Sequence, residues 1–160
     1  MNSRHKVGFL VIGIVTVLTL VGLLSPTRIW DGAMSPRFRV QVLGIDGMGP
    51  MKGATVRLLN PAILVAHLSP KDIDDVLQRS GSIGITDAEG HVTLRSLCGA
   101  GGTRGLFGRS GRFEVTQELS VEAAGQRRIS APLAGFLGGR DWSIRHTDFK
   151  VRIWLIKDPP

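Results

Sequence analysis

The chain has 160 residues, with 20 Lys or Arg against 13 Asp or Glu, a formal net charge of +7. Three of the basic residues precede position 31, where no acid occurs; seventeen basic and thirteen acidic residues beyond it leave a net +4, an ordinary surface charge rather than the footprint of a dedicated nucleic-acid binder. One cysteine permits no internal disulfide, and the lack of any tyrosine excludes every mechanism that needs a phenol.

From Val7 to Leu24 the chain carries eighteen residues without a charge, flanked by Arg4, His5 and Lys6 before it and Ser25-Pro26 after it. A helix of that length spans roughly 27 Å, close to the hydrocarbon thickness of a bilayer. The run is apolar all round, which argues against a buried amphipathic helix. It predicts a single transmembrane anchor at 7–24, preceded by a basic cytoplasmic tail at 1–6. The competing reading is a cleaved secretory signal, which would leave a secreted domain. Against it, the run exceeds the usual apolar length, and neither Leu23-Leu24-Ser25 nor Asp31-Gly32-Ala33 offers a good small-residue cleavage site. Arg4 and Lys6 hold the amino end in the cytoplasm and place the remainder outside, with Arg28, Arg37 and Arg39 as a weaker opposing set. Trp30 is positioned to seat its indole at the outer headgroup level.

Residues 25–36 hold two prolines and little periodicity and read as a tether, so the folded domain is expected at 37–158. Arg37-Phe38-Arg39-Val40-Gln41-Val42 alternates polar and apolar, the period of a strand with one buried face. Asp46-Gly47-Met48-Gly49-Pro50 is turn chemistry, and Ala54 to Leu58 alternates again. Ser69-Pro70-Lys71-Asp72 is a helix start, with serine as N-cap, proline in the first turn and an acid near the amino end. The helix should run to about Arg79, with Ile73, Val76 and Leu77 on one face and Gly81 closing it. Ser82 to Thr86 and His91 to Arg95 flank Asp87-Ala88-Glu89-Gly90 and read as a hairpin. Gly99 to Arg112 reads as a glycine-rich loop, and Phe113-Glu114-Val115 and Leu119 to Ala123 as strands. Gln126 to Ile129 follows Gly125, and Ala134 to Arg145 reads as a second loop. Phe149 to Leu155 alternates strongly. About seven short strands with one helical insertion predict a mainly β fold, an antiparallel sandwich.

The two turn motifs resemble a known family. Gly49-Pro50-Met51-Lys52-Gly53-Ala54-Thr55-Val56 is similar to the segment entering the second strand of carboxypeptidase-regulatory-like, transthyretin-like domains. Thr86-Asp87-Ala88-Glu89-Gly90-His91-Val92-Thr93-Leu94 is similar to their threonine-aspartate turn and following strand. Pro50, Gly53, Ala54, Thr86, Asp87 and Gly90 are then structural. Gly53 bends the chain into a strand whose Ala54 and Val56 face inward, Gly90 takes a positive φ, and Asp87 caps nearby amides. The sequence departs from the family in the long interval between the motifs and in Gln126, where an aromatic usually follows the glycine. The resemblance implies a prealbumin-like accessory sandwich without catalysis, often attached to envelope or secreted proteins.

Candidate chemistry is sparse. Gly99-Ala100-Gly101-Gly102-Thr103-Arg104-Gly105 lacks the Gly-Lys-Ser/Thr ending of a phosphate loop and leads into a strand, so no nucleotide cofactor is expected. Arg104, Arg109 and Arg112 around Phe107 are a candidate partner- or anion-binding loop through bidentate guanidinium contacts; Arg127, Arg128 and Arg140 are possible additions to it. His67, His91 and His146 show no paired metal-ligand spacing. Asp72 suits the helix dipole, Asp74 and Asp75 are expected to face solvent, and Asp87 and Glu89 belong to a turn. Cys98 reads as a buried small residue rather than a reactive thiol. The expectation is a membrane-anchored, extracytoplasmic, non-catalytic module that binds an envelope protein or polysaccharide and holds no cofactor or metal. The alternative is an unrecognised hydrolase or carbohydrate-active domain with Asp141, His146 and Asp148 converging in a cleft.

Overall fold

In the computed structural model, which describes residues 12–21, 28–45, 49–60, 69–105 and 108–157, alternation of apolar and polar side chains has its expected consequence. Strand β2 (Arg37–Gly44) buries Phe38, Val40 and Val42 and exposes Arg37 and Arg39. Twelve strands form among the described residues, where about seven were expected. The others are β1 (Arg28–Met34), β3 (Gly49–Pro50), β4 (Thr55–Leu59), β5 (Ile83–Ile85), β6 (His91–Arg95) and β7 (Cys98–Gly105). There follow β8 (Gly108–Glu114), β9 (Glu118–Glu122), β10 (Ile129–Pro132), β11 (Asp141–Ser143) and β12 (Asp148–Leu155). They make three sheets, ordered β1-β7-β8-β11, β10-β9-β4-β5 and β12-β2-β3, with β6 on the same edge of β2 as β3. Pairing is antiparallel apart from β12, which lies parallel to β2 along its whole length.

One core takes side chains from all three sheets. Phe38, Val40 and Val42 of β2 meet Val56 and Leu58 of β4, Leu119 and Val121 of β9, and Val151, Ile153 and Leu155 of β12. The third sheet is fastened by aromatic rings: Phe149 of β12 stacks on Phe38 at 5.3 Å and takes the edges of Phe113 at 6.0 Å and Trp142 at 5.0 Å. Rings at these separations add to the burial of their area.

Residues 12–21 form helix α1, and all ten are exposed. Thr16 and Thr19 donate their hydroxyls to the carbonyls of Ile12 and Val15, each at 2.8 Å, so the helix satisfies them internally. Among the described residues no helix is long and apolar enough to cross a membrane. The tail at 1–6 and the flanks of the expected anchor, 7–11 and 22–24, lie outside the described residues. Helix α2 (Pro70–Ser80) starts and stops as its sequence dictates. Ser69 Oγ accepts from the Asp72 amide, Gly81 caps the far end at φ 69°, and Leu77 is buried. It packs on the outer side of β4 and β5. Asp74 does not face solvent freely: Arg57 of β4 reaches across with Nε and Nη2 at 2.8 and 3.0 Å from its carboxylate.

Four expectations are corrected. Arg28–Met34, expected within the tether, is β1, paired along its length with β7. Little of it is buried, so it shows no amphipathic alternation; its backbone partner holds it. The expected loop from Gly99 to Arg112 is mostly the antiparallel pair β7 and β8. Glycine hides the strand period there and serves a close approach, since a Cβ on Gly102 would lie 2.1 Å from the Ser110 carbonyl oxygen. The expected second loop holds β11 and a five-residue helix, α3 (Leu133–Leu137), whose Leu133 is buried. Finally, β5 and β6 are not a hairpin: β5 pairs with β4 and β6 with β2. The turn at Asp87–Gly90 therefore carries the chain from one sheet to another.

The two family-like motifs meet at that crossing. Thr86 is buried and its Oγ1 accepts from the Ala54 amide at 2.9 Å while donating to the Met51 carbonyl at 2.5 Å. Asp87 Oδ1 takes the amides of Glu89 and His91 at 3.1 and 2.8 Å. Gly90 has φ 72°, and a Cβ there would sit 2.5 Å from the Val42 carbonyl oxygen. Gly53, at φ 78°, turns the chain into β4, and Ala54 and Val56 are fully buried.

Candidate anion-binding interface

An amphipathic strand has two faces, and on β2 and β12 the outward one is basic. Pairing sets Asp148, Arg37 and Arg95 in one row across β12, β2 and β6, then Lys150, Arg39 and Thr93, then Arg152, Gln41 and His91. All of these except the partly buried Gln41 are exposed. Neighbouring strands lie about 4.8 Å apart and alternate residues about 6.7 Å along a strand, so the cations form a two-dimensional lattice. Five of them, Arg37, Arg39, Arg95, Lys150 and Arg152, face a single carboxylate, Asp148. Arg39 is paired with it, Nε to Oδ1 at 3.1 Å, and Arg152 Nε donates to the neutral Gln41 at 3.2 Å. The surface balance of +4 equals that of the whole chain beyond residue 30. A cleft of about 630 Å³ opens on this face, lined by Arg39, Gln41, His91, Thr93, Lys150 and Arg152 among others. In the next row along the same face Trp154, 51% exposed, stands beside Leu43 and Pro50. Like charges directly across a ladder repel and cost stability, and an anion laid over the lattice would remove that cost.

This surface went unread in the sequence, although its signal was present. The alternation that marks β2 and β12 by their buried Phe, Val and Ile also prints basic residues at the intervening positions.

The expected arginine loop is divided by the pleat. Arg104 of β7 and Arg109 of β8 are direct cross-strand partners, and Arg28 of β1 completes the row from the other side. Arg112 lies an odd number of residues from Arg109 on the same strand and so points to the opposite face, where with Asp31, Glu114 and Asp141 it lines a separate cleft of about 400 Å³. Phe107 lies outside the described residues. Arg128 is tied to Ser120 of β9 by a 3.2 Å hydrogen bond, and the Arg140 carbonyl accepts from the Val115 amide. Trp30 is not free to seat elsewhere: it is half-buried against the core, its Nε1 donates to the Ser110 carbonyl at 3.3 Å, and the Arg109 guanidinium lies 3.1 Å over its ring.

The alternative site does not assemble in one cleft. Asp141 lies across from Glu114, Asp148 is held by Arg39 and lines a small cleft with Arg37 and Arg95, and His146 packs against the rings of Trp142 and Phe149 at 5.0 and 4.6 Å. Among the described residues no group of three His, Cys, Asp or Glu side chains could hold a metal ion. His91 borders the basic cleft, and His67 lies outside the described residues. Cys98 is buried, and burial pushes its thiol up to about 11 despite a contact with Gln117 Oε1 at 3.5 Å. Hydrogen bonding from Arg57 holds the Asp74 carboxyl below its ordinary range, and the same bond raises Arg57.

No family model matches this chain, and no curated protein matches it.

Proposed function

We propose that the chain is a membrane-anchored, extracytoplasmic, non-catalytic module that holds an acidic envelope polymer on the basic outer face of β12, β2 and β6. The observation that carries this reading is the lattice of five cations around one carboxylate, spread over a cleft rather than converging on a point. A converging site suits a small ligand; a spread of exposed guanidinium and ammonium groups suits repeated anionic groups on an extended chain. Trp154 and Leu43 at the end of the face supply an apolar platform for the less polar side of such a chain.

The anchor is supported by the uncharged run from Val7 to Leu24 and by the exposed apolar side chains of residues 12–21. In that helix the two threonine hydroxyls need no outside partner, as a lipid environment requires. The fold is proposed to be a β-sandwich of the carboxypeptidase-regulatory-like, transthyretin-like kind, with the β1-β7-β8-β11 sheet as an addition. Its support is the meeting of the two family-like motifs at Thr86 and the packing of the β12-β2-β3 and β10-β9-β4-β5 sheets in the common core.

The test is binding of a polyuronate such as alginate to the full chain reconstituted in neutral phosphatidylcholine vesicles. Saturable, salt-sensitive binding is expected, weakened by tenfold or more in R37Q/K150Q/R152Q. These exposed side chains lie away from the core, so folding should change by no more than about 0.5 kcal/mol each. Absence of binding, or binding indifferent to the triple variant, would refute the proposal.

A further inference from the structure

A second cationic feature lies on a different sheet and close in the chain to the uncharged run at 7–24. Arg28, Arg104 and Arg109 stand side by side on β1, β7 and β8 at the outer end of the ribbon, all exposed. Among the described residues none of the three has an ion-pair partner. The next row on the same face is Trp30, Gly102 and Gly111, which carries no acid. Gly111 leaves room for the indole, since a Cβ there would lie 2.9 Å from the Trp30 ring. The ring in turn supports the Arg109 guanidinium from below at 3.1 Å, a cation–π contact that orients it without neutralising it.

Where this row sits follows from chain length. Arg28 is four residues beyond Leu24, the last residue of the uncharged run. Four extended residues reach about 14 Å at most, so the first arginine of the row cannot lie far from the end of that run. The polar layer on each side of a bilayer is about 5–8 Å deep. Three unpaired guanidinium groups aligned across adjacent strands are thus within reach of lipid phosphates, a group that guanidinium binds bidentately.

We propose that Arg28, Arg104 and Arg109 form a phosphate-binding row that seats the end of the β1-β7-β8 ribbon on the lipid headgroups and so sets the domain's orientation on the bilayer. The proposal rests on the reading of residues 7–24 as an anchor. Trp30, expected at headgroup level as a free interfacial indole, acts instead as the platform beneath Arg109. The row is distinct from the basic face on β12, β2 and β6, so the two surfaces bind separately.

The test uses the full chain, with arginine labelled at Cζ, in vesicles of phosphatidylcholine mixed with phosphatidylglycerol, and reads dephasing of the guanidinium carbons by lipid phosphorus in solid-state NMR. A subset of arginines should dephase in the wild type, and most of that signal should vanish in R28Q/R104Q/R109Q while persisting in R37Q/K150Q/R152Q. At about fivefold per cation near an anionic surface, the ratio of seated to unseated domain should fall about a hundredfold in the row variant. Dephasing that survives the row variant, or that is absent while the chain stays in the vesicles through an alkaline wash, would overturn the row alone. A chain released by the wash would overturn the anchor reading, and the row with it.

Discussion

Replacing Thr86 by valine keeps the shape of the side chain and removes one oxygen, and that oxygen joins the two halves of the turn crossing. Its loss takes the acceptor from the Ala54 amide, whose residue is fully buried, and the donor from the partly buried Met51 carbonyl. A buried amide left without a partner costs about 1–3 kcal/mol, and a lost hydrogen bond at the partly wet carbonyl about 0.5–1.5 kcal/mol. Thr86→Val should therefore destabilise the domain by about 1.5–4.5 kcal/mol. Thr86→Ser keeps both bonds and loses one buried methyl, worth about 0.8 kcal/mol. Urea unfolding of the full chain in detergent micelles, followed by tryptophan fluorescence, separates the two. A valine variant within about 1 kcal/mol of wild type, or a serine variant as damaged as the valine one, would refute the assignment of the joint to the hydroxyl.

Two further outcomes follow from the shifted groups. Cys98 should resist thiol reagents in the folded protein at mildly alkaline pH and react on unfolding; a rise from 9.0 to about 11 alone lowers the thiolate fraction about a hundredfold, and rapid native labelling would contradict its burial. The Asp74 carboxyl is held below its ordinary value, so the stability it contributes is complete above about pH 4 and is lost as pH falls through its lower folded value. Asp74→Asn should flatten the acid limb of the stability profile by less than about 1 kcal/mol, because the pair is partly exposed; an unchanged acid limb would show that the pair contributes nothing there.

Sequence by itself determined the elements whose physics is local. Alternation marked β2, β4 and β12 because each buries one face, and Ser69, Pro70 and Gly81 delimited α2 because caps and fixed dihedrals act within a few residues. The same local chemistry exposed the turn residues Gly53, Asp87 and Gly90. Tertiary structure alone decided the rest. Strands β7 and β8 were hidden because their glycines leave no side-chain period to read, and β1 because its backbone partner rather than a buried face holds it. Whether β5 met β6 or β4 depended on partners distant in sequence. So did the grouping of Arg28 with Arg104 and Arg109 and the exclusion of Arg112, and so did the merging of basic residues from β2, β6 and β12 into one surface. Register across a sheet is a relation between segments far apart in the chain, and no single segment carries it.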